Sequence, residues 1–265
     1  MIRKSLVSED WLAQIAPAIH ATGRAKERLE RASQSGFAVT TGQQPGLFGG
    51  PMYTWWKALS AVSLADRLEE ITGLPVVPIF WSAADDSDFA EASYTIVSTT
   101  EGAVRLEMSG SPEAGTPMSD VPVGDVSPLI QRLAEAAGSS ASSAVLELVR
   151  SSYSSDHTVG SAYLDMLRTV LEPLGIPVID AAHSCVRAAA YPILRQGLER
   201  AQQIEAALDV REKDLKAAGH AVQVKQVAGR SLVFGGYGGA RDRIRMRDVE
   251  QALANLREAT ELFVE

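Results

Sequence analysis

The chain has 265 residues, 46% hydrophobic and 22% charged, with a net charge of −8. No Lys/Arg stripe outweighs the acids, which excludes a nucleic-acid footprint, and no apolar run approaches the ~20 residues of a membrane span. The single cysteine, Cys185, permits neither an internal disulfide nor a cysteine metal cage; with a charged, amphipathic N-terminus in place of a signal peptide, this predicts a cytoplasmic protein of one large domain or one and a half.

Along the chain, Leu12, Ile15, Ala16 and Ile19 recur at helical spacing, predicting amphipathic helix over 10–32, kinked or divided at Pro17 and Gly23. Residues 36–40 read as a short buried strand, and 41–51, dense in glycine and proline, as a loop that excludes regular structure. A helix of about five turns follows over 53–70, stopped by Gly73 and Pro75. The apolar run 76–81 has strand length and suits a strand covered on both faces, so strand, loop, helix and strand make a βαβ unit. Residues 94–98 and 104–107 suggest a hairpin, while 110–124 and 138–143, rich in Gly, Ser and Pro, read as surface excursions. Helix over 159–172 running into an apolar strand at 176–180 repeats the first unit's grammar, so the predicted core is a parallel α/β sheet. Residues 190–218 read as charged helix, and 221–224, 231–234 and 241–246 as short antiparallel strands, with Gly235, Gly236, Gly238 and Gly239 in a hairpin loop.

In an open parallel sheet, ligands gather beyond the carboxyl ends of the strands. Three segments should meet there: 42–51 after the first strand, 82–90 after the second and 180–184 after the third. The first delivers backbone amides onto a helix N-terminus, a geometry that favours a carboxylate or phosphate, with Gln43 and Gln44 adding amide groups; as sequence it matches neither a Walker A pattern nor GxGxxG. Lys57, near the start of that helix, stands where a cation is electrostatically unfavourable unless an anion binds there or water solvates it. The second segment crowds Asp85, Asp86, Asp88 and Glu91 behind Phe80 and Trp81, where like charges raise one another's pKa and one acid could serve as general base, a second hold an ammonium group, or several hold Mg²⁺. The plainer alternative has Asp88 capping a short helix over 89–92 with the other acids facing water. His20, His157, His183 and His220 lack ligand spacing for zinc, and Cys185 fits a small buried hydrophobe better than a nucleophile.

The run Thr41-Gly42-Gln43-Gln44-Pro45-Gly46-Leu47-Phe48-Gly49-Gly50-Pro51-Met52-Tyr53-Thr54, with Lys57-Ala58 after it, is similar to the TGQQ-glycine-GP-YT-KA signature of the bacillithiol synthase family. Val76-Val77-Pro78-Ile79-Phe80-Trp81 and the acids Asp85, Asp86, Asp88 and Glu91 resemble that family's VPVFW segment and acidic HDxxE-type motif. The resemblance implies a Rossmann-like parallel sheet with helices on both faces and a small antiparallel insertion, connecting subdomains, and a coiled coil that supports dimerisation. It implies L-cysteine and glucosaminyl-malate as substrates of an amide-forming ligase. On that reading Asp86, Asp88 and Glu91 form the catalytic set, and Gly42, Gln43, Gln44, Tyr53, Lys57, Trp81, Asp85 and Asp180 the substrate-binding set.

Two departures accompany it. Ser87 stands where the family's acidic motif usually has histidine, and the chain reaches Phe263-Val264-Glu265 where family members continue into more sheet and the coiled coil. The expectation is a fold incomplete relative to the family, whose exposed sheet edge needs covering. Whether a homodimer or a partner chain carrying the missing C-terminal part does so, whether ATP and Mg²⁺ take part, and whether the chain is catalytic or a binding subunit of a split enzyme all stay open.

Overall fold

The structure, a computed structural model, describes residues 11–99, 101–138, 143–224, 226–237, 240–256 and 263–264. The chain divides into two compact units, Ile15–His183 and a second comprising Met1–Gln14 with Ser184–Glu265.

The expected opening helix is two: α1 (Trp11–Ile19), which keeps Pro17 in its interior and enters the first unit at Ile15, and α2 (Gly23–Ser35), with the break at His20 to Thr22. Strand β1 (Phe37–Gln43) leads through a single 3-10 turn at Leu47–Gly49 into α3 (Met52–Thr72), and α3 stops at Gly73, whose φ of 67° supplies the left-handed cap. Strand β2 (Val76–Ser82) pairs parallel to β1 from Phe37 opposite Val76 to Gln43 opposite Ser82. Its apolar residues are buried on both faces except Trp81. The short helix α4 (Phe89–Ala92) precedes the hairpin of β3 (Tyr94–Thr99) and β4 (Gly102–Glu107), followed by α5 (Ser127–Ala137), α6 (Ser143–Ser152) and α7 (Val159–Leu171). Strand β5 (Val178–Asp180) pairs parallel to β2, giving the order β1-β2-β5 and the parallel α/β sheet expected from the sequence.

Apolar clusters among the described residues stabilise this unit. One joins Ala58 of α3 and Phe80 of β2 to Tyr163, Leu167 and Leu171 of α7 and Val178 of β5, so α3 and α7 cover the same face of the sheet. Another gathers Phe48, Leu106, Met118, Val121, Val123, Ile130, Tyr153 and Met166. Burial of each large apolar side chain contributes about 1.5–3 kcal/mol, so these clusters outweigh the weak local preferences of the loops between them.

Several expectations need correction. Thr41, Gly42 and Gln43 are strand, not loop, because β1 continues pairing to Ser82. A Cβ on Gly42 would lie 2.6 Å from the Trp81 carbonyl oxygen, so this glycine answers the approach of the neighbouring strand and not a turn. The 110–124 segment is not a surface excursion: Met118, Val121 and Val123 are buried, and Met118 N–H donates to Asp86 O at 2.8 Å. Residues 139–142 of the second expected excursion lie outside the described residues.

The second unit contains α8 (Ser184–Glu199) and α9 (Ala201–Ala217), so the helix expected over 190–218 begins earlier and breaks at Arg200. Residues 221–224 form no strand, whereas β6 (Arg230–Tyr237) and β7 (Ala240–Arg245) are the expected antiparallel pair; α10 (Val249–Asn255) and β8 (Phe263–Val264), which pairs with β6, complete it. Gly238 and Gly239 of the expected hairpin loop lie outside the described residues. Leu194 and Leu198 pack with Val233, Ile244, Ala252 and Leu256. Among the described residues no helix is long and apolar enough to cross a membrane.

Candidate functional site

The carboxyl ends of the three parallel strands set the frame. Gln43, Ser82 and Asp180 occupy one row of the sheet, Gln43 opposite Ser82 and Ser82 opposite Asp180, so all three point to the same face. The loops are stitched together by backbone bonds: Ala83 N–H donates to Gln43 O at 3.1 Å and Ala181 N–H to Ser82 O at 3.0 Å. The three segments expected to converge therefore do.

Gln43 is buried, and its amide is oriented from both ends. Lys57 Nζ donates to Gln43 Oε1 at 2.8 Å and lies 3.3 Å from Gly42 O, while Gln43 Nε2 donates to the Tyr53 hydroxyl at 3.1 Å. Lys57 Nζ also sits 5.0 Å from the centre of the Tyr53 ring, a cation–π distance. These groups belong to the first turns of α3, whose N-terminus has no capping side chain and no acid in its first turn, so its N–H groups and dipole favour an incoming anion.

Gln44 works on the other side. Its Nε2 donates to Glu91 Oε2 at 2.7 Å, tying the glycine-rich loop to the acidic turn after β2. Two consecutive glutamines thus engage a cation and an anion of one rim, Lys57 and Glu91. Within the acidic turn, Asp86 Oδ1 accepts the Asp88 N–H at 2.8 Å, and Asp88 Oδ1 accepts the Glu91 N–H at 3.0 Å as the N-cap of α4. Asp85 is half-buried in the same turn. Asp180 Oδ1 accepts the Ala182 N–H at 3.0 Å, closing the turn after β5.

Trp81 stands apart from this set. It alternates with Ser82, so its side chain leaves from the opposite face, where it is 40% exposed. Among the described residues no group of three or more His, Cys, Asp or Glu is arranged to hold a metal ion.

Tyr153, which the sequence did not single out, holds the glycine-rich loop in shape. Its hydroxyl donates to Gly46 O at 2.7 Å and accepts the Gly49 N–H at 3.1 Å, and its ring meets Phe48 edge-on at 5.2 Å between centroids. Phe48 adopts a φ of 53°, a left-handed conformation that a non-glycine residue holds only under such packing. Burial pushes the Tyr153 phenol well above its ordinary range, so it remains a neutral donor. Beneath the rim, the hydroxyls of Ser82 and Thr54 are fully buried. No local spacing relates Tyr153 to Gly46, because the contact is made between distant parts of the chain.

The family model described as "Bacillithiol biosynthesis BshC, N-terminal Rossmann-like domain" matches residues 2–262. The chain is 32% identical over 230 residues to the protein named "Putative cysteine ligase BshC" of Koribacter versatilis, covering 86% of this chain and 42% of that one. It is 36% identical over 212 residues to the identically named protein of Solibacter usitatus, covering 78% and 39%, and 29% identical over 205 residues to that of Staphylococcus carnosus, covering 74% and 38%. The chain therefore spans about two fifths of the length of these relatives.

Proposed function

The chain belongs to the bacillithiol biosynthesis BshC family through its N-terminal Rossmann-like domain, and from that premise we propose that it carries the substrate-binding end of a ligase adding L-cysteine to glucosaminyl-malate. The observation that carries the reading is the pairing of Gln43 with Lys57 and of Gln44 with Glu91, which sets opposite charges on one rim. Lys57, with the open N-terminus of α3, binds substrate carboxylate. Glu91 takes the proton of the glucosamine amine as its nitrogen bonds to the cysteine carboxyl carbon and one C–O bond of that carboxyl breaks, the oxygen leaving as water or, where ATP activates the acid, with the transferred phosphoryl group. Asp88 serves as a positioning residue, since its carboxylate holds the Glu91 N–H. Gln43, Gln44 and Tyr53 orient the two charged groups, and Asp85, Asp86 and Asp180 shape the turns that bound the site.

The test is purified chain incubated with L-cysteine and glucosaminyl-malate, with and without ATP and Mg²⁺, followed by mass spectrometry for bacillithiol. Lys57→Gln and Glu91→Gln should each lower product formation at least tenfold, roughly the loss of one charge-assisted contact, with an unchanged circular dichroism spectrum. Absence of product, together with no chemical-shift response near Lys57 or Glu91 to either substrate, would sink the reading.

A further inference from the structure

A second charged cavity lies between the segment that opens α2 and the C-terminal end of α7. It measures about 530 Å³ and is lined by His20, Thr22, Arg24, Arg168, Thr169 and Glu172, with Gly23 and Pro173. Among the described residues Glu172 is the carboxylate in its lining, and that group is already engaged: it is buried and accepts the Thr22 N–H at 3.2 Å and the Thr22 hydroxyl at 2.5 Å. Arg168 is anchored by one contact, Nη2 to Ala18 O at 3.0 Å, while its Nε is buried with no acceptor among the described residues. Arg24 is exposed at the start of α2 and makes no ion pair or hydrogen bond among the described residues.

A neighbouring cavity of about 380 Å³ shares Arg24 and offers a contrast. There Arg28 is paired with Asp66 and Arg31 with Glu69, at 2.5 and 2.6 Å, so those charges are answered from within the protein. The larger cavity instead brings two guanidinium groups, neither in an ion pair among the described residues, to the N-terminus of α2, a helix with no acid in its first turn and no capping side chain. Burial draws the Arg168 guanidinium below its ordinary range, against the opposing pull of Asp180, Glu172 and Asp165.

We propose that this cavity is an oxyanion-binding site, taking a phosphate or carboxylate group between Arg24 and Arg168 against the first turn of α2. Guanidinium groups present paired N–H donors that match the spacing of oxyanion oxygens, and the helix N-terminus adds partial positive charge. The lining of this cavity shares no residue with the Lys57 rim, so either reading can fail without the other.

The test is isothermal titration of the full chain with inorganic phosphate and, separately, with succinate, at ionic strength held constant with potassium chloride. Saturable binding of either anion is expected, with Arg24→Gln weakening it about tenfold, Arg24→Lys recovering part of the loss, and Lys57→Gln leaving the Arg24-dependent binding unchanged. Because Arg24 is exposed, its substitution should not disturb folding. Binding of phosphate alone assigns a phosphoryl ligand, binding of succinate alone a carboxylate, and binding of both a general oxyanion site. Absence of binding, equal affinity of wild type and Arg24→Gln, or loss of the signal on raising chloride at fixed ligand in wild type and variant alike overturns the proposal.

Discussion

Replacing Tyr153 by Phe isolates the bridge that shapes the glycine-rich loop. The ring and its edge-on contact with Phe48 survive, while two hydrogen bonds disappear, one to Gly46 O and one from Gly49 N–H. Tyr153 is only 2% exposed, so water cannot readily replace the hydroxyl. Each orphaned backbone group costs about 1–3 kcal/mol, partly offset because the phenol no longer has to be desolvated, and the net loss should be about 2 kcal/mol. Urea unfolding followed by tryptophan fluorescence reads this directly, since Trp55 packs against the same core. Hydrogen exchange at the Gly49 amide gives a local measure, expected to accelerate by roughly 30-fold if the opening is confined to the loop. An unchanged urea midpoint together with unchanged Gly49 exchange would refute the claim that the hydroxyl holds the loop.

Gly42→Ala should separate β1 from β2, because the added methyl group would meet the Trp81 carbonyl oxygen at 2.6 Å; a loss of about 1–3 kcal/mol is expected in the same urea experiment. Glu69 gives a pH signature: the Val76 N–H at 2.9 Å, and after it Arg31, hold its carboxyl below the ordinary range. A carboxyl depressed on folding contributes stability above its unfolded value and loses it as pH falls through the folded one, so acid unfolding scans should show Glu69→Gln less pH-sensitive than wild type at the acidic end. Parallel acid profiles would remove Glu69 as a contributor.

The sequence revealed most clearly the elements whose cause is local. The apolar run Val76 to Trp81 suits a strand covered on both faces, and the stop at Gly73 is a property of that residue's own backbone. The segment from Thr41 to Gln43 reads as loop in the sequence because glycine has two uses, turning a chain and admitting a neighbour, and only the position of Trp81 distinguishes them. Residues 221–224 carry a strand-like alternation, yet a strand exists through its ladder, and no ladder forms there among the described residues. At the candidate site, the convergence of strand ends followed from topology. The division of labour among the acids did not, because whether a carboxylate caps a turn or faces Gln44 depends on distances of an ångström or two. Tyr153 was invisible for a stronger reason: it acts on Gly46 from 107 positions further along the chain.

The strand order β1-β2-β5 also sets a timetable. The β1-α3-β2 unit is contiguous and can close within a short stretch of chain, whereas β5 arrives only after α4, the hairpin and the helices α5, α6 and α7. Local contacts form sooner than those demanding a long loop closure. During synthesis, therefore, Gln43 and Lys57 meet early on a two-stranded platform whose β2 edge is still open, and Asp180 completes the rim last. The edge left waiting is that of the most apolar strand in the unit, which makes the interval before β5 docks the period of greatest exposure to misassociation.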